Sequence, residues 1–156
     1  MIILLFASCE SKQDKFIQSE LDKLTGMWEV NTFNIAGQVP DSLNNFVKSG
    51  KINFRKCGYD KKSFQSDSRV CDSEIEINSS LLGMGYRYDA SAKLFDIKYM
   101  GLFSSNPISE IKVLQKLELL MVGTWDMSVV GNSLTAKQVK NANNLNIQVS
   151  FTATRK

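Results

Sequence analysis

The stretch LTGMWEVNTFNIAGQ, residues 24–38, decides the fold. Its apolar side chains recur at every second position, Trp28 and Val30 on one parity, then Phe33 and Ile35 on the other. Period two is the mark of a strand with one covered face. A change of parity within one strand needs an extra residue, which predicts a β-bulge near Asn31.

Upstream of this strand, Phe16, Ile17, Leu21 and Leu24 recur at helical spacing, with Ser11 or Asp14 as N-cap and Gly26 just past the end. The apolar stripe is narrow, so this single helix covers one end or side of something larger. Downstream, Pro40-Asp41 is read as opening a short helix, with Leu43, Phe46 and Val47 on one side and Gly50 as its stop.

From there period two dominates. Strands are expected at Ile52 and Phe54; at Ile75 and Ile77; at Met84, Tyr86 and Tyr88; and at Phe95, Ile97 and Tyr99, with Asp89 to Ala92 turning between the last two. Ile111, Val113, Leu117, Leu119 and Met121 read as one long bent strand or two short ones. Trp125, Met127 and Val129 lead through a Gly131-Asn132-Ser133 turn to Leu134 and Ala136. An Asn-rich turn at Asn141 to Asn144 then leads to Leu145, Ile147, Val149, Phe151 and Ala153.

The expected fold is therefore all-β, with about eight to ten short antiparallel strands, an N-terminal helix and a short helix after the first strand. Apolar strand edges must be covered or closed, and closure removes them, so a barrel is the first expectation. A two-sheet sandwich has the same periodicity and stays open as the alternative.

With 156 residues, 43 % of them hydrophobic, the chain can bury one substantial core and is read as one domain. Its net charge is only +3, with the two signs interspersed, which gives little electrostatic attraction to nucleic acid. The densest basic stretch, Lys51, Arg55, Lys56, Lys61, Lys62 and Arg69, reads as a solvated loop. The absence of histidine removes histidine triads, histidine acid–base chemistry and most zinc sites together. Glu74 and Glu76 alternate with Ile75 and Ile77 and so fall on the polar face. Neither a Gly-x-Ser-x-Gly elbow nor a glycine-rich phosphate loop before a helix occurs. No enzymatic activity, cofactor or metal is expected.

The chain opens MIILLFASCESK. Ile2 to Phe6 are apolar, Ala7 and Ser8 are small, and Phe6-Ala7-Ser8-Cys9 resembles a bacterial lipobox, in which the chain is cut before the cysteine and a diacylglycerol is attached to its sulfur. Residues 1–8 are read as a signal remnant, 9–14 as a tether lipidated at Cys9, and 15–156 as the barrel domain. With Cys9 lipidated, Cys57 and Cys71 form an even pair in an oxidising compartment and are expected to be bridged. Such a bridge, closing a loop of about fifteen residues, is worth roughly 3 kcal/mol in the chain-entropy model.

The Gly-x-Trp of LTGMWEVNTFNIAGQ directly after a helix, together with VGTWDMSVVGNSLTAKQ at 122–138, resembles the opening and closing of lipocalin-like barrels. The whole plan resembles the lipocalin-like lipoproteins common in Bacteroidetes. The resemblance implies an arginine after the closing strand stacked on the first-strand tryptophan, here Arg155 on Trp28. The repeated GMWEV and GTWDM lack agreeing flanks, so they are read as shared strand-start chemistry and not as a duplication.

The leading functional expectation is a lipid-anchored binding protein of the bacterial outer membrane, on its periplasmic face or at the cell surface. Its barrel would hold a small apolar or amphipathic ligand against Trp28, Tyr86, Tyr88, Phe95, Tyr99 and Trp125. The same aromatic residues alternate like core residues, and a tryptophan at a strand start is more often a barrel-end plug than a ligand contact. A filled barrel would instead make the chain a non-catalytic interaction or structural module, presenting the polar loop between Cys57 and Cys71 to an envelope partner. A large apolar void would favour the first reading and a filled core the second.

Overall fold

A computed structural model describes residues 11–39, 41–43, 45–59, 71–102 and 108–156, and the side chains of all of these except 108–110. The signal remnant, Cys9 and most of the loop between Cys57 and Cys71 lie outside the described residues.

The first element is α1, Lys12–Leu24. Ser11 is its N-cap: the Asp14 amide donates to Ser11 Oγ and the Ser11 amide to Asp14 Oδ2, each at 3.1 Å, a reciprocal capping box. Eight strands follow: β1 Gly26–Gly37, β2 Gly50–Phe54, β3 Cys71–Ile77, β4 Ser80–Asp89, β5 Leu94–Gly101, β6 Gly123–Val130, β7 Ser133–Asn141 and β8 Ile147–Arg155. Each pairs antiparallel with the next, and β8 returns to β1, closing a barrel. Closure decides against the sandwich.

The bulge expected near Asn31 is present: Val30 pairs with Ala153 and Thr32 with Thr152, leaving Asn31 as the extra residue. Asp89 Oδ1 accepts from the Ser91 and Ala92 amides and builds the expected turn before β5.

Two expectations are corrected. Residues 41–43 and Asn45 form turns, not a helix, and Gly50 opens β2. Asn45 has φ +55°, which a right-handed helix cannot continue through. The segment expected as a strand through Ile111, Val113, Leu117, Leu119 and Met121 is a helix, α2, Ile108–Met121. Its covered side chains are Val113, Leu114, Leu117, Leu120 and Met121, a helical stripe, whereas Ile111 and Leu119 are exposed. So many Leu and Ile in one segment satisfy both periods at once. The interspersed Lys, Gln and Glu, all good helix formers, favour the helix.

Because β1 and β6 run in opposite directions around the barrel, the helices that precede them sit at opposite ends. α1 packs against the end where β4 finishes, with the Phe16 and Tyr88 rings 6.1 Å apart edge to face. α2 packs on β4, β5 and β7 at the other end, and there Lys116 Nζ sits 4.9 Å from the Phe46 ring centre.

Candidate functional site

The interior and its two ends are built by one local device used twice. After α1, Gly26 has φ +125° and the Trp28 indole N–H donates to Leu24 O at 2.6 Å. After α2, Gly123 has φ +143° and the Trp125 indole N–H donates to Met121 O at 2.8 Å. In both cases glycine makes the sharp exit from helix to strand, and the next-but-one tryptophan folds back on the helix's last carbonyl.

The remaining orphan carbonyls of both helices are also taken up. At α1, Thr25 donates through its hydroxyl to Leu21 O and through its amide to Asp22 O, and Arg155 Nη2 donates to Lys23 O at 2.5 Å. The guanidinium carbon of Arg155 lies 4.6 Å from the Trp28 ring centre, the stacking that the resemblance implied. At α2, Asn143, Asn141 and Gln138 donate side-chain N–H groups to Glu118 O, Leu119 O and Leu120 O. Gln138, Asn141 and Ser73 are the buried polar side chains among the described residues, and each is bonded to a backbone carbonyl. Sequence reasoning missed this role; the Asn-rich turn was its one visible trace.

Of the six aromatics expected inside, Trp28, Tyr86, Tyr88, Phe95 and Trp125 are buried there. Tyr99 is not: it stands 46 % exposed on the outer wall, its ring over Gly85 and its hydroxyl 3.3 Å from Asp72 Oδ1. Gly85 pairs with Tyr99 but Tyr86 with Ile97, so Lys98 is an extra residue that reverses the parity of β5 beyond it. Met100 takes the inward place.

The interior rings pack on one another. Phe54 and Tyr86 meet edge to face at 5.2 Å, while Tyr88 and Phe95 at 4.8 Å and Trp125 and Phe151 at 5.6 Å are tilted against each other. Trp28, Leu82, Tyr86, Trp125, Ala136 and Val149 expose 0 % of their surface, and Ile52, Phe54, Ile75, Ile77 and Ile97 only 1 %. A void able to admit water-sized atoms would leave its lining measurably accessible, so these residues line no ligand-sized void. Among the described residues two buried side-chain polar atoms have no hydrogen-bond partner, Arg155 Nε at the α1 end and, inside the barrel, the Tyr86 hydroxyl. Burial, with Asp72 adding to it, pushes this phenol well above the ordinary tyrosine range.

Beside the α1 end, Cys57 and Cys71 are disulfide-bonded with Cα atoms 5.5 Å apart, as expected. Gln18 of α1 binds this corner on both sides: its Nε2 donates to Cys57 O at 2.9 Å and its Oε1 accepts from the Tyr59 amide at 2.7 Å.

Among the described residues no group of three or more His, Cys, Asp or Glu side chains could hold a metal ion, and no helix is long and apolar enough to cross a membrane. The fold and site together define a closed eight-stranded antiparallel barrel plugged at each end by a helix. No protein-family model, curated protein or solved structure matches the chain.

Proposed function

We propose that the chain is a non-catalytic interaction module of the bacterial cell envelope. A lipid on Cys9 holds it at the outer membrane, and a solid barrel presents its loops and outer wall to an envelope protein. The observation that carries this reading is the packing of the interior: large aromatic side chains are buried in it against one another, and a helix covers each end. A rigid body of this kind serves as a scaffold for loops. The bonded pair Cys57 and Cys71 supports an exported, oxidising location, because such bridges persist there and are rare in the cytosol.

The test is crosslinking in intact cells with and without residues 59–68, both cysteines retained. Loss of the captured partner supports the proposal, and unchanged capture removes the loop as the contact. Intact mass of the membrane-extracted chain tests the anchor, which predicts a start at Cys9 with added acyl mass.

The unpartnered Tyr86 hydroxyl favours a second reading, in which the interior opens to admit a small amphipathic molecule whose polar group bonds this phenol. A panel of fatty acids, sterol-like and haem-like probes at micromolar concentration tests it. No binding by any member leaves the filled-barrel reading alone.

A further inference from the structure

The barrel wall has a seam between β5 and β6, which pair only through Phe95, Ile97 and the residue between them. A cleft of about 460 Å³ opens there, with Asp96, Lys98, Thr124, Lys140 and Asn144 among its lining residues. Its floor is backbone: Gly123 lies so close to Lys140 O that no Cβ would fit, and the Ala142 amide donates to Val122 O at 3.0 Å.

Two β-bulges flank the seam, and each supplies a lysine. Lys98 is the extra residue of β5. On β7, Thr124 pairs with Lys140 but Trp125 with Gln138, so Val139 is extra and stands 58 % exposed. Leu134, Ala136 and Gln138 face inward, and without the bulge Lys140 would follow them into the core. The bulge instead turns it outward into the cleft, the re-aiming of a side chain for which bulges are used.

The charges do not cancel. Asp96 accepts the Thr124 hydroxyl at 2.8 Å and lies 3.4 Å from Lys98 Nζ and 3.8 Å from Arg87 Nε, so its one charge is already matched. Among the described residues no carboxylate lies within ion-pair distance of Lys140. The cleft therefore offers a surplus of ammonium donors beside a side-chain amide, in a concavity of ligand size.

We infer that this cleft is an anion site that takes a compact phosphate-bearing group, as a free phosphoester or as a lipid headgroup. The site is on the wall and does not depend on how the interior is read. Lys98 and Lys140 bind the phosphate oxygens, Asp96 holds Lys98 in place, and Asn144 adds a neutral donor.

The test is amide-shift titration of the ¹⁵N-labelled chain with inorganic pyrophosphate, alongside co-sedimentation with phosphatidylcholine vesicles containing or lacking phosphatidic acid. Saturable shifts at Ile97, Thr124 and Asn144 support a free phosphoester. Sedimentation that requires phosphatidic acid supports a headgroup. Lys98→Gln and Lys140→Gln should each weaken the response about tenfold, as expected for loss of one charge-assisted contact. Lys137→Gln, on the exposed face of the same strand, should leave it unchanged. Silence in both arms overturns the inference, and so does equal weakening by all three variants. Melting temperatures of the variants confirm that the fold is intact in each comparison.

Discussion

At the scale of single residues, two near-identical glycines separate conformational from steric cost. An alanine at Gly26 meets open space, its nearest neighbour being Arg155 Nε at 4.0 Å, so Gly26→Ala suffers only the unfavourable φ. At Gly123 the new methyl runs into the Lys140 carbonyl as well. Gly26→Ala is expected to cost about 1–3 kcal/mol and Gly123→Ala clearly more, read from urea unfolding of the two variants. A second contrast concerns Tyr86. Its hydroxyl is buried without a partner, so Tyr86→Phe should be neutral or stabilising by about 1 kcal/mol near neutral pH. Because this phenol titrates higher in the folded chain than in the unfolded one, the wild type should lose stability as pH rises above about 10, where only the unfolded state ionises. Tyr86→Phe should flatten that alkaline limb, and an unchanged limb would assign it to other groups.

At the scale of elements, both helices are held by their bonded C-terminal carbonyls as well as by apolar burial, which on α1 comes from Ile17, Leu21 and Leu24. Trp28→Phe and Trp125→Phe keep most of the ring but strand Leu24 O or Met121 O. Each is expected to cost about 1–3 kcal/mol in urea unfolding. Gln18 joins α1 to the Cys57 corner, so Gln18→Ala should speed hydrogen exchange of α1 amides while β6–β7 amides keep their protection. Uniform acceleration would mean that α1 opens only with the whole barrel. A run containing Ile111, Val113, Leu114, Leu117, Leu119, Leu120 and Met121 has an apolar residue for either period, and the sequence cannot say which of them will be covered. Packing across the barrel mouth decides it.

At the scale of the whole molecule, acid is the expected weakness. Lys156 holds the Glu29 carboxyl below its ordinary range, Arg55 and then Asn53 do so for Glu74, and the Ser91 hydroxyl and Ala92 amide for Asp89. The stabilisation these depressed groups provide is present above the ordinary carboxylate range, about pH 4, and is lost as pH falls through their folded values. With no histidine in the chain, stability should be flat from about pH 5 to 8 and decline only below, which a pH series of melting temperatures measures. A step near pH 6.5 would contradict this.

The sequence alone determined most of the strand parities, the bulge at Asn31, the capped α1, most of the turns and the five aromatics that reach the interior, because these follow from short-range periodicity and turn chemistry. The bridge between Cys57 and Cys71 was legible from cysteine number and compartment, and the Arg155–Trp28 stacking only through the family resemblance. The tertiary structure alone decided closure into a barrel, the helical state of α2, the outward turn of Tyr99 at the Lys98 bulge and the placing of Lys98 and Lys140 along one cleft. Each of these depends on pairing between segments far apart in the chain, where one extra residue in a neighbour's register reverses a face, and local pattern carries no record of it.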